Sequence, residues 1–159
     1  MIAVFSLIIV ATIFSGLLAG INFDRLFVQM PAWQRLGASA WAAYSRQADI
    51  VQGIVIYPTL TLGAALPTVI AAIIFNWIGS ARSIAAVPID LAVFLVVIGL
   101  LATIKAAPIM LGLRRVENDD EVTVSKAFRG FNRWTMIRGV AQIAAFVANL
   151  LSLIALWRQ

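Results

Sequence analysis

Long apolar runs alternate with short polar intervals along the chain, and the lengths of the runs set the first expectation. Predominantly apolar residues fill about 2–21, 50–77, 89–109 and 135–157. Each run reaches the roughly 20 residues that a helix needs to cross about 30 Å of hydrocarbon. The pattern therefore predicts an all-α fold, a bundle of four transmembrane helices forming one membrane domain over 1–159, with no internal repeat and no separate soluble unit. No basic residue precedes the first run, so it reads as a retained span, since a cleavable signal peptide opens with positive charge. Pro58 and Pro67 lie inside the second run, where each should kink the helix and free a carbonyl for another partner.

The polar intervals carry patterns of their own. In NFDRLFVQMPAWQRLGASAWAAYSRQADIVQG, after the first span, Phe23, Leu26, Phe27 and Met30 recur at helical spacing before Pro31. This predicts a short interfacial helix that Pro31 interrupts, with the second helix beginning below the membrane in the region 41–52. In LRRVENDDEVTVSKAFRGFNRW the acidic cluster 117–121 suits a solvated, capped helix start. Phe128, Phe131 and Trp134 then follow at spacings of three, so the fourth helix should begin near Asp120 as a helical extension.

Lys and Arg are distributed unevenly between the two sides. Arg25, Arg35, Arg46, Lys105, Arg114, Arg115, Lys126, Arg129, Arg133 and Arg138 fall on the side of the longer connections, against Arg82 and Arg158 on the other. Excess positive charge marks the cytoplasmic face, so the expected placement is multi-pass in an inner (plasma) membrane, with both termini outside. Trp33, Trp41 and Trp134 then belong near the inner interface, and Trp77 and Trp157 near the outer one.

Composition narrows the chemistry. The chain is 62% hydrophobic and 12% charged, with mean hydropathy +0.97, beyond what a soluble domain of this size covers with polar surface. The net charge of +5 is accounted for by topology and anionic lipid, and no nucleic-acid partner is inferred from it. Cys and His are both absent, which removes disulfides, thiolate metal sites and the commonest metal ligand; no metal and no cofactor is expected. Chemistry is left to carboxylates, Lys, Arg, amides and hydroxyls.

The polar residues inside the apolar runs are therefore the candidates. At about 100° per residue, Thr135, Arg138, Gln142, Asn149 and Ser152 share one arc of the fourth helix, and costly side chains that all face one way point into a bundle or a wet cavity. Asn22, Asp24 and Arg25 end the first helix, Asp49 and Gln52 begin the second at a spacing of three, and Lys105 lies near the end of the third. With helices alternating in direction, these lie at one depth, so Asp24, Asp49, Lys105, Arg138 and Gln142 are candidates for one shared site. The structural alternative is that cations snorkel to water and that Asp–Arg, Asn and Gln pairs lock helices together. Small residues at Gly16 and Gly20, Ala141 and Ala145, and Ala144 and Ala148 allow close helix packing or, alternatively, a homo-oligomer interface.

GLLAGINFDRLFVQMPAW, KAAPIMLGLRR and FNRWTMIRGVAQIAAFVANLLSL together resemble the anthrone oxygenase-like family of small four-helix membrane proteins, over nearly the whole chain. KAAPIMLGL departs from the Asn-and-Pro pattern that relatives carry at the end of the third helix. The resemblance implies oxidation of a flat aromatic, lipophilic substrate by dioxygen without metal or flavin. In that chemistry Asp49 or Asp24 is the candidate base, and Arg138, Lys105, Gln142 and Asn22 are the candidate oxyanion donors. Gln52, Trp134 and Asn149 complete the candidate substrate-binding set. Two other classes stay open: a non-catalytic lipid-binding or accessory subunit, with membrane lipid or a lipophilic small molecule as partner, and a small transporter.

Overall fold

The computed structural model describes residues 1–77, 83–116 and 120–158. Arg82 and Glu117, used above for the charge count and the acidic cluster, lie outside the described residues. Among the described residues six α-helices follow in order: α1 Ile2–Asp24, α2 Met30–Leu36, α3 Ala38–Gln47, α4 Ile54–Trp77, α5 Ala86–Gly112 and α6 Glu121–Trp157. The four long ones are each extended and apolar enough to cross a membrane, and the chain is an all-α, membrane-embedded bundle. Large apolar side chains such as Ile13, Leu17, Ile70, Phe94, Leu101 and Val147 are exposed on its outside, as lipid-facing residues must be.

α1 packs between α4 and α6, and α5 between α6 and α4, giving a closed ring of four helices with alternating direction. Two apolar clusters close its ends. At the end holding the termini, Val4, Ile8, Phe75, Ile89 and Leu156 meet. At the opposite, basic end, Met30, Trp33, Trp41, Ile50, Leu113, Val124 and Phe131 form a larger plug, in which Trp41 stacks 5.1 Å from Phe131 and 5.4 Å from Phe128. Trp33 and Trp41 are thus core residues and not the interfacial belt expected of them, because α2 and α3 fold back beneath the bundle. Trp77 and Trp157 do stand exposed at the other end.

Pro31 does not interrupt the first helix. The backbone passes from α1 into α2 through a π-helical turn, Arg25–Gln29, and Pro31 sits in the first turn of α2. A proline cannot donate to the carbonyl four residues back and crowds it; widening the turn immediately upstream relieves both. A second π turn, Asp49–Gly53, leads from α3 into α4, with the Gly53 amide bonded to the Ala48 carbonyl at 3.0 Å. Between α2 and α3 the chain reverses at Gly37, whose φ of +96° and ψ of 165° are open to glycine almost alone. Arg46 then ties α3 to the end of α5, donating from Nη2 to the Val116 carbonyl at 2.8 Å.

α6 starts where the acidic residues place it. The Asp120 carboxylate caps the helix by accepting from the Thr123 amide at 3.0 Å, and hydrogen bonding from the Thr123 side chain and then its amide holds that carboxyl below its ordinary value. Inside the ring, hydroxyls turn back onto their own helices: Thr12 to the Ile8 carbonyl, Thr68 to Ala64, Thr103 to Gly99 and Ser152 to Ala148, each at 2.7–2.8 Å. That is the partner a hydroxyl finds where no water is present. Gly16 packs on the Phe146 ring and Ala145 is buried, so these two serve contacts within the chain, while Gly20 is exposed.

Two outcomes follow from this geometry. Gly37→Ala forces a side chain into a backbone region costing about 1–3 kcal/mol, and should lower the melting temperature in detergent by several degrees. The Asp120 cap, its carboxyl depressed, stabilises the first turn of α6 above the ordinary carboxylate pKa and is lost as pH falls through the depressed value. The protection of the Thr123 amide against hydrogen exchange, taken relative to its intrinsic rate at each pH, should therefore fall at low pH, and Asp120→Ala should show the low protection at every pH.

Candidate functional site

The buried faces of the long helices repeat at alternating steps of three and four. On α1 the buried stripe is Val4, Ile8, Ala11, Ser15, Leu18, Asn22 and, in the π turn, Arg25. On α6 it includes Phe131, Thr135, Gln142, Ala145, Asn149, Ser152 and Leu156. Such spacing keeps a seam facing its neighbour along a left-handed bundle, so the polar members of each stripe are carried to the axis.

Nearest the basic end, Arg25 and Asp49 form a buried ion pair, Nη2 to Oδ1 at 2.5 Å, with 3% and 0% of the two side chains exposed. Ser45 donates to the other carboxylate oxygen at 3.0 Å, so both Asp49 oxygens are engaged. The same Arg25 Nη2 donates to the Tyr57 hydroxyl at 3.0 Å, and its guanidinium lies 5.1 Å from the Tyr57 ring centroid. Gly53 makes this possible: a Cβ there would stand 2.6 Å from the Tyr57 ring. The ring folds back over the bare backbone and presents its hydroxyl to Arg25.

About one turn further in, the Asn22 amide nitrogen donates to the Leu18 carbonyl at 2.7 Å and to Gln142 Oε1 at 2.6 Å. The Leu18 carbonyl accepts only, which fixes how Asn22 is turned. Gln142 must in turn present its oxygen to Asn22, which leaves Gln142 Nε2 as a donor without a partner among the described residues. Arg138, one turn before Gln142 on α6, makes no hydrogen bond and no ion pair among the described residues.

Both unspent donors face a cavity of about 270 Å³. Its polar wall is Asn22, Arg25, Tyr57, Arg138 and Gln142, with the hydroxyls of Thr61 and Thr103; most of the rest is apolar, with Ile54, Pro58 and Leu62 from α4, Leu100, Ala107, Met110 and Leu111 from α5, and Phe131 from α6. Ile54, Pro58 and Leu62 are exposed, so the cavity reaches the outer surface between α4 and α5. The arrangement is a cationic, donor-rich inner end behind an apolar mouth, suited to holding an anion or strong acceptor borne by a lipophilic body. Among the described residues no carboxylate lines this cavity, and no three His, Cys, Asp or Glu side chains gather as metal ligands.

Of the residues singled out from sequence, Asn22, Arg138 and Gln142 share the cavity wall, and Asp49 stands behind it, held by Arg25. Asp24 is exposed and accepts from Gln29. Lys105 is exposed beside the buried stripe Val96, Gly99, Ala102 and Ala106. Gln52 is exposed because the π turn brings Gly53, four residues on, to the buried side in place of the residue three on. Trp134 packs against the basic-end plug and stacks on Arg133. Asn149 lies deeper, donating weakly to Ser15 at 3.4 Å and to Thr68 at 3.5 Å, with Oδ1 unpartnered. Sequence reasoning placed Arg25 in the polar corner that ends the first helix without giving it a role, and missed Tyr57 and Ser45. The α1 stripe at spacings of three and four marks Arg25 as buried; no local pattern marks the other two.

Asp49→Leu leaves the Arg25 charge buried without a counterion, and should cost about 3–5 kcal/mol. Replacing both, as Arg25→Met with Asp49→Leu, should recover most of that loss. Thermal unfolding of the two single variants and the double variant measures the cycle; additive losses would show that the pair is not coupled.

No family model, no curated protein and no solved structure matches the chain, so the geometry of this cavity carries the functional reading.

Proposed function

We propose that the protein is a membrane-embedded binding protein for a lipophilic molecule with one anionic end, held at Arg138 and Gln142. The observation that carries this reading is the Arg138 guanidinium, which faces an apolar-walled cavity of about 270 Å³ with no acidic partner among the described residues. Arg138 is half-buried, and a cation within the membrane-spanning part of a bundle is costly unless it is paired, so an incoming anion supplies the missing charge. Gln142 adds an amide donor one helical turn away, and the Asn22 hydrogen bond holds that amide in place before the ligand arrives.

The oxygenase chemistry implied by the resemblance is the weaker reading. Carbanion formation needs a base at the substrate, whereas both Asp49 oxygens are committed to Arg25 and Ser45, and Asp24 is exposed and engaged with Gln29. The excess of Lys and Arg at the end carrying α2 and α3 supports an inner-membrane placement with that end in the cytoplasm, so the ligand comes from the inner leaflet.

A test sets a small aromatic carboxylate against its methyl ester, with the protein in nanodiscs of neutral phosphatidylcholine. The acid should bind at least about tenfold more tightly than the ester, and Arg138→Gln should erase the difference. Equal binding of acid and ester by the unaltered protein would overturn the reading.

A further inference from the structure

A second opening lies on the same seam as the cavity. Toward the termini, α4 and α5 frame an open groove of about 490 Å³, walled by Val69 and Ile73 from α4 and by Val93, Phe94 and Val97 from α5. These residues follow the cavity rim on the same helix faces: Leu62 leads to Val69 and Ile73, and Leu100 leads to Val97 and Val93. The groove stops where Asn76 donates to Asp90 at 3.3 Å, a polar end that neither an apolar nor an anionic group would pass.

The register fixes the length. Gln142 sits against Gly99, a Cβ there falling 3.3 Å from Gln142 Cγ, so in antiparallel helices Arg138 lies level with Thr103. From Thr103 to Asp90 α5 rises about 20 Å at 1.5 Å per residue. Along that rise the seam offers apolar side chains and, short of Asp90, no charge among the described residues.

Resting on the reading that Arg138 holds an anionic end, we infer that the ligand is a long, single-chain carboxylate amphiphile, of the fatty-acid class. Its head enters the cavity sideways between α4 and α5, and its tail lies extended in the α4–α5 groove. Charge complementarity sets the head at Arg138 and Gln142. Alignment of the groove with the cavity mouth on the same faces of α4 and α5 sets the tail, and the Asn76–Asp90 pair sets where it ends. A compact aromatic acid would fill the cavity and leave the groove to bulk lipid; a two-chain lipid would need a second furrow beside the first.

The experiment uses hexadecanoate carrying a photoreactive diazirine at mid-chain, with the full chain in neutral phosphatidylcholine nanodiscs and adducts mapped by peptide mass spectrometry. Adducts should concentrate on Val69, Ile73, Val93 and Val97, and excess unlabelled hexadecanoate should remove them. Val97→Trp, a substitution on an exposed face, should cut the remaining groove adducts about tenfold while leaving the acid-over-ester preference for the small aromatic carboxylate intact. Adducts spread evenly over the outer faces of all four long helices and insensitive to competitor, with the acid preference retained, would overturn this inference and leave the reading of Arg138 standing. Loss of the acid preference in the unaltered protein would overturn both.

Discussion

The ion pair between Arg25 and Asp49 is the constraint around which the basic half of the molecule is arranged. Each charge taken from water costs several kcal/mol, and the attraction between them returns it only if the geometry is good and the remaining polar atoms are satisfied. Ser45 and Tyr57 supply two of those satisfactions. Both charged residues sit at the first position of a π-helical turn, one leaving α1 and one entering α4. An α-helical turn in either place would rotate everything beyond it, taking the Trp33 side of α2 or the Tyr57 side of α4 out of register. The pair thus fixes how α2 and α3 fold beneath the ring, and with them the plug built on Trp41 and Phe131.

Charge balance then explains why the cavity is where it is. Arg25 and Asp49 pair with each other, and Arg138 is left without an ion pair among the described residues. Ser45 and Arg25 engage both oxygens of Asp49 and hold it behind the cavity wall. Asn22 acts similarly on Gln142, spending the amide oxygen and leaving the nitrogen. What faces the ligand is thus set by residues behind the wall, which is how donor sites are made rigid before binding.

The four spans and the helical class were legible because run length alone decides them. The α6 stripe was legible for a related reason: polar residues in an apolar run at steps of three and four can only share a face. Near the ends of the spans that logic failed, since exposed and buried polar residues both occur there and hydropathy does not separate them. Lys105 and Asp24 lie within a residue or two of buried positions, and only the phase of the helix puts them outside. Gln52 failed for a different reason, because its predicted alignment with Asp49 assumes an α-helical turn that the chain replaces with a wider one. Arg25, read as one more topological charge, proved to be the most deeply committed cation. Pro31 was read as a stop, and the upstream π turn is what lets the helix run through it.

Asn149, the deepest amide of α6, bears on whether the bundle conducts anything across the membrane. Above Gln142 lies a void of about 20 Å³, touched by Ser15, Thr61 and Gln142, which is enough for about one water. Asn149, Ser15 and Thr68 form one more polar layer through two long hydrogen bonds, and past it the axis is filled by Val4, Ile8, Phe75, Ile89 and Leu156. A charged group travelling the axis would leave its last polar side chains at the Asn149 to Ser152 turn and cross that whole apolar cluster unsolvated, at a cost that a few weak polar contacts cannot offset. The polar residues of this bundle therefore make a site reached from the side. Among the described residues its unpaired charge, Arg138, faces the lipid-facing seam, and this weighs for holding a molecule drawn from the bilayer over passing one through it.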